Sequence, residues 1–341
     1  MYVCILHQAG EILVHQHMQA SPDTWLRTMA PYRDDIVVAV EGLFTWYWRA
    51  DLWAQEGLPV VLGPALYMNA IHGGNANHDT IDAQNIAGLR RGGMLPQASV
   101  SPAAMRATRD LLRRRMHCMR TRAELLTHVP HTKSQDHRPE MGRKIADKTN
   151  RDGVAERLAD PAVHKSIAVD LALIGHDDEL LRDVERSILT AATPHDANTR
   201  YLRRTVPGIG AILSLVLRYE LHEIQRFPRV QEFVSDGRLV TCATASAGKR
   251  DGTSGTTIGH ASRTWACSAA AVRFRRANPA GQQDRGRLAN THGQGKALTV
   301  LAHTRARAVY DLVKRDTAFE RHTCLTSERE RSGRAGRLTG H

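Results

Sequence analysis

Three carboxylates are the first candidates for chemistry: Glu41, Asp79 and Asp82. Within the stretch 75–91, Asp79 and Asp82 are three residues apart, and Ile86 and Leu89 continue the spacing, so on a helix all four share one face. Two acids then share a stripe with apolar contacts, a costly place unless a cation or hydrogen-bond donors meet them. Glu41 directly follows Ile36-Val37-Val38-Ala39-Val40, a β-branched run that reads as a strand covered on both faces. It therefore sits at a strand's C-terminal end, where open α/β sheets place their sites. One acid at a strand end and two on a following helix offer hard oxygen ligands to Mg²⁺. A pair of such ions clamps the attacking and leaving oxygens of a phosphodiester. The plainer reading of Asp79 and Asp82, as caps and dipole partners of a helix N-terminus, stays open at this point.

The elements that must position these acids alternate between strand and helix. Tyr2–Leu6 and Ile12–His15 flank Gln8-Ala9-Gly10-Glu11 and predict a hairpin. Ser21-Pro22 opens a helix to about Tyr32, with Ser as cap and Pro in the first turn. Thr45–Glu56 reads as a helix closed by Gly57, Val60–Leu62 as a further strand, and 65–71 as a helix leading to Gly73-Gly74. This alternation argues an α/β layer fold. From Ser101 the character changes. Met105, Thr108, Leu112, Met116, Met119, Ala123 and Leu126 form one stripe, and Ile167, Leu171, Ile174, Leu181, Val184 and Ile188 a second. Separated by a polar stretch over 131–160, they predict an antiparallel helical hairpin or coiled coil. Arg113, Arg114, Arg115, Arg120 and Arg122 lie around the first stripe, as a solvated face or a phosphate-reading one.

The chain has 341 residues with 47 Lys and Arg against 35 Asp and Glu, a net charge of +12. That balance favours a polyanionic partner through counterion release. Five scattered cysteines, with no Cys-x-x-Cys pair, indicate neither a disulfide framework nor a zinc site. His128 and His131 straddle Pro130, which is expected to break the helical geometry a histidine metal site prefers. With no apolar run of transmembrane length and no signal peptide, the expectation is a cytoplasmic protein without a membrane partner. Val206-Pro207-Gly208-Ile209-Gly210, before the apolar 211–217, is a glycine turn whose backbone N–H groups suit a phosphate; a plain helix-turn-helix corner explains it equally well. Thr244 to Gly259 is rich in Ser, Thr and Gly, with Lys249 and Arg250, and reads as a loop.

Two motif sets, in order, resemble one family. VVAVEGLFTWYW, LGPALYMNAIHGG and HDTIDAQNIAGLRRGGMLP resemble the RuvC-like domain of the DEDD transposases of bacterial insertion sequences, the "IS one-ten" group. RTVPGIGAILSLVLRYELHEIQRFPRVQEFVSDGRLV and SAGKRDGTSG resemble that family's C-terminal domain. The resemblance implies DNA strand cleavage and rejoining, with Glu41, Asp79 and Asp82 as Mg²⁺ ligands and a serine of the second domain as nucleophile. Ser246 is the closest match and Ser254 the alternative. A serine needs activation by a base or positive surroundings, and Lys249 with Arg250 would stabilise the charge of the phosphorane. The glycine turn becomes a helix-hairpin-helix-like element in which Gly208 and Gly210 contact phosphate; the basic balance of the chain, rather than the resemblance, adds Arg113 and Arg114 as phosphate-contact candidates. The implied partners are DNA, an element-encoded RNA, and further copies of the chain.

The sequence also departs from the family. The family's first aspartate belongs on a strand just before Tyr2, in an Asp-x-His-like setting, and the sequence starts at Met1. The expectation is a copy truncated at its N-terminus, with three of four acids, weak Mg²⁺ binding and an exposed sheet edge. Asn75 and Asn77 stand where lysines are usual, and Thr256, Thr257, His260 and Thr264 replace the pattern after the serine. Arg321–His341 lacks periodicity and reads as an unstructured divergent tail. A nucleic-acid-binding remnant without catalysis is therefore the alternative to a working recombinase. The expected architecture is α/β: an RNase H/RuvC-like domain over 1–100, a helical hairpin over 101–195, and a mostly α-helical transposase domain over 196–320.

Overall fold

A computed structural model describes residues 1–42, 46–65, 78–135, 145–192, 202, 205–240, 243–246, 249–253 and 259–315. The chain is mixed α/β and mostly helical, and it divides into two compact units, Met1–Ala103 and Ala104–His341.

The first unit opens with β1 (Tyr2–Leu6) and β2 (Ile12–His17), paired antiparallel. Gly10, at φ 100°, makes the turn between them in a conformation that side chains disfavour. Helix α1 (Pro22–Met29) starts at Ser21, whose hydroxyl accepts from the Thr24 N–H, and a 3₁₀ turn continues it over Ala30–Asp35. Strand β3 (Val38–Glu41), helix α2 (Trp46–Gln55) and strand β4 (Val60–Gly63) form a parallel unit in which Glu41 faces Gly63. Helix α3 (Asp79–Arg91) follows. Among the described residues no strand pairs with the second edge of β1 or of β3. Asn75, Asn77 and all but the first residue of the helix expected over 65–71 lie outside the described residues.

The β3–β4 pair is covered on both faces, as its unbroken apolar run requires. Val38, Val40, Val60 and Leu62 point into a core with Trp25 of α1 and Trp53 of α2, whose rings are 5.2 Å apart. Ala39 and Val61 point the other way, onto Ile86 and Leu89 of α3 and Leu95. Strand alternation then gives Glu41 the same face as Ala39, the face that α3 covers.

In the second unit, α4 (Ala103–Gln135) and α5 (Pro161–Ala191) run antiparallel. Arg115 pairs with Glu185, Arg122 with Asp178 and His128 with Asp170, so partners descend along α5 as residues ascend along α4. Pro130 does not end α4, contrary to expectation. Beside it Val129 is fully buried and His128 Nδ1 lies 2.5 Å from Asp170, contacts that offset the roughly 3 kcal/mol cost of an interior proline. Helices α6 (Ala211–Leu221), α7 (Val230–Asp236), α8 (Ala261–Ala277), α9 (Pro279–His292) and α10 (Gln294–Arg315) complete the unit. They share one core with Leu112 of α4 and Ile188 of α5. Between α7 and α8, the stretch expected to be a loop contains an antiparallel hairpin, β5 (Ala243–Ser246) with β6 (Lys249–Thr253). Its Ser, Thr and Gly composition hides the pairing, which backbone bonds rather than apolar alternation carry. Arg321–His341 and Ser254 lie outside the described residues.

Candidate active site

The stripe seen in the sequence is the face of α3 that meets the sheet. Ile86 and Leu89 pack on β3 and β4, and Asp82 and Asp79 lie one and two turns nearer the helix N-terminus. That end stands over the C-terminal end of β3, where Glu41 lies on the α3 side of the sheet. The Glu41 carboxyl is raised above the ordinary carboxylate range by partial burial, then by the charges of Asp82 and Asp79. Neither aspartate is the helix cap: that position is His78, whose side chain makes no capping bond. His15 Nε2 lies 3.1 Å from the Thr80 carbonyl oxygen, tying β2 to the same turn.

Glu41, whose cost of ionisation is raised by burial and by two nearby aspartates, and which has no ion pair among the described residues, stands in the kind of oxygen-donor setting a hard divalent cation takes. The set is open rather than closed. Among the described residues no three acid, histidine or cysteine side chains stand together at metal-ligating distance.

The glycine turn has a packing reason of its own. Gly208 adopts φ 95°, and a Cβ there would fall 2.3 Å from the Ala270 carbonyl oxygen and 2.9 Å from the Phe274 nitrogen, both backbone atoms of α8. Gly210 is the N-cap of α6 and has the Arg273 guanidinium beside it, so a cation stands at the positive end of that helix.

Ser246 ends β5 and faces Lys249 across the hairpin, with Arg250 following on β6. Of the α4 arginines, Arg115 and Arg122 are spent on Glu185 and Asp178. Arg113 donates two bonds to Glu220 with 42% of its side chain exposed, while Arg114 and Arg120 face solvent.

A charge cluster at the foot of this hairpin is absent from the sequence reading. Glu220, on α6, has a side chain 1% exposed and accepts from Arg109 Nε at 2.7 Å and Arg113 Nε at 2.8 Å. His260 Nε2 lies 3.3 Å away. Burial alone would raise the Glu220 carboxyl, but bonds from His260 and Arg113 and the Arg109 charge hold it well below the carboxylate range. Burial lowers His260, the bond to Glu220 offsets part of that, and the Arg263 charge lowers it further. Arg263 pairs with Asp236 and is pushed down to about 10 by its burial. A signal is present in the sequence: Glu220 is the one acid in a mostly apolar helix, and such a charge, once buried, needs a partner.

Residues 201–284 match the model of the transposase IS116/IS110/IS902 family. The matched stretch carries the glycine turn, α6, α7, the β5–β6 hairpin and α8. No curated protein matches the chain. The family match supports a transposase function. No helix among the described residues is long and apolar enough to cross a membrane.

Proposed function

We propose that this chain is a DNA transposase of insertion-sequence type, cutting and rejoining DNA strands with acids of the first unit and a serine of the second. The family match over residues 201–284 carries this reading. Its metal-dependent half draws support from Asp79 and Asp82 lying within electrostatic range of Glu41. In it, Glu41, Asp79 and Asp82 hold Mg²⁺, which supplies Lewis-acid stabilisation of the phosphate oxygens when bound. Ser246 attacks a DNA phosphate, and Lys249 and Arg250 offset the charge that gathers on it. Arg114, Arg120 and the N-terminus of α6 with Arg273 hold the DNA backbone, contacts that position a duplex without reading its sequence. Further copies of the chain and an RNA encoded by the element are its other partners, and the RuvC-like identity of the first unit belongs to the same reading.

A second reading, a nucleic-acid-binding protein without catalysis, is favoured by the open spacing of the three carboxylates. Cleavage of the element's junction DNA in Mg²⁺, by wild type and by Glu41→Gln, Asp82→Asn and Ser246→Ala, separates the two. Under the transposase reading all three variants bind DNA as wild type does and cut at least a hundredfold more slowly, on the order of losing one essential group. Wild-type binding without cleavage selects the second reading. Under both, affinity falls with salt at a log–log slope of about −0.9 per phosphate neutralised, and salt-independent binding refutes both.

A further inference from the structure

The β5–β6 hairpin is flanked in sequence by two stretches of the helical core that lie against each other and form a narrow neck. On one side of it is Asp236–Arg238, on the other Gly259–His260. The His260 N–H donates to the Asp236 carbonyl at 2.7 Å, and Arg238 Nη2 donates to the Gly259 carbonyl at 2.8 Å. The Thr264 hydroxyl donates to the Gly237 carbonyl at 2.9 Å, and the Arg263 guanidinium pairs with Asp236. The two sides approach so closely that Arg238 takes φ 52° and Gly259 φ 131°. A Cβ on Gly259 would fall 2.8 Å from the Asp236 carbonyl oxygen.

The neck is also tied sideways. His260 reaches Glu220 on α6, and Glu220 is held by Arg109 and Arg113, one turn apart near the start of α4. Charged groups face His260 from every side: Glu220 from α6, Asp236 from the end of α7, and Arg263 from its own helix. Neutral His260 fits this setting. Nε2–H donates to Glu220, while Nδ1 is buried without a partner among the described residues, so no acceptor awaits a second proton there. Apolar side chains of similar size would fill the same space without the desolvation cost of ions. The charges buy directionality instead: each bond has one geometry, and together they define where the neck stands relative to α4.

We propose that Glu220, His260, Arg109 and Arg113 form a clasp that fixes the neck of segment 241–258 against α4, which makes Glu220 and His260 positioning residues for Ser246. This rests on Ser246 being the nucleophile only in its last clause. The clasp itself is a statement about the neck.

The test uses the full chain and two readouts, peptide-resolved hydrogen exchange and single-turnover cleavage of junction DNA. His260→Ala is expected to speed exchange within 241–258 by about tenfold, the equivalent of one lost bond to a charged group. Peptides of α6 and α10 should keep their wild-type rates. His260→Gln, whose amide N–H replaces Nε2–H toward Glu220, is expected to restore protection. Cleavage by His260→Ala should slow about tenfold with DNA affinity within about twofold of wild type, and His260→Gln should recover it. Unchanged exchange in 241–258, acceleration spread equally over α6 and α10, or no recovery in His260→Gln overturns the clasp. Ser246→Ala tests the reading beneath it: if that variant cuts as wild type while His260→Ala loosens 241–258, the clasp stands and the nucleophile is elsewhere.

Discussion

Replacing Gly208 by alanine separates two explanations of the glycine turn. If the glycine serves to expose backbone N–H groups to a phosphate, the variant folds normally and loses DNA affinity. If it serves to let the turn press on α8, the variant loses stability first. At φ 95° the left-handed backbone costs an L-residue about 1–2 kcal/mol. The added methyl group would stand 2.3 Å from one backbone atom of α8 and 2.9 Å from another, neither of which can swing aside as a side chain does. Overpacking of that kind adds about 1–3 kcal/mol. The total is roughly 2–5 kcal/mol, and at about 2–4 °C per kcal/mol for a unit of this size the melting point falls by roughly 5–20 °C. Gly153→Ala is the control: its φ is 69°, but nothing lies within 4 Å of the new Cβ, so only the backbone cost of about 1–2 kcal/mol applies. Thermal melting of the full-length variants reads both. A Gly208→Ala protein that melts within a degree of wild type yet binds DNA ten times more weakly would refute the packing account.

Glu220→Ala leaves Arg109 and Arg113 facing each other without their acid and is expected to cost about 3–5 kcal/mol in denaturant unfolding; a cost under about 1 kcal/mol would mean that the cluster is solvated. His222, His260 and His303 are all lowered by burial first, so each binds its proton more readily unfolded than folded. Stability is therefore full above the unfolded value near 6.5 and is lost as pH falls through the folded values. His260 contributes at most about 1.4 kcal/mol per pH unit, and His260→Gln should flatten the acid limb by that share. Mg²⁺ is expected to raise the melting point of wild type and not of Glu41→Gln or Asp82→Asn. An equal rise in all three places the ion elsewhere.

The parts of the fold legible in the sequence are those where one period and one environment coincide. The run ending at Val40 signals a strand covered twice because neither of its faces is polar, and Asp79, Asp82, Ile86 and Leu89 signal a single helix face. The heptad-spaced Ile167, Ile174, Leu181 and Ile188 of α5 are all buried, so that stripe reads directly as a core. What the sequence hides depends on tertiary partners. Pro130 sits beside Val129, buried in a core with residues of α5, and His128, paired with Asp170, and the β5–β6 hairpin has no apolar alternation to announce it. The requirement at Gly208 lies across the chain in α8. Likewise, nothing local to Glu220 indicates that its partners stand more than a hundred positions earlier, or that His260 stands forty later.

The two acidic centres handle charge in opposite ways. Around Glu41 the neighbours that shift the carboxyl have its own sign, so partial burial and repulsion act together and the group is harder to ionise than in water. A folded chain holds such an arrangement only against a standing cost, and a bound cation reverses it by turning mutual repulsion into shared coordination. Around Glu220 burial is far deeper, yet two arginines and a histidine donor drive the carboxyl the other way. That centre already has its cations, gains nothing from another, and is closed to solvent at 1% exposure. Under the proposed reading, chemistry is assigned to the partly exposed acids of the first unit, where a cation would relieve the repulsion on Glu41, and architecture to the satisfied set in the second. The direction of the Glu41 shift agrees with the proposed cation-binding role, while the ion-pair geometry of Glu220 marks an architectural one.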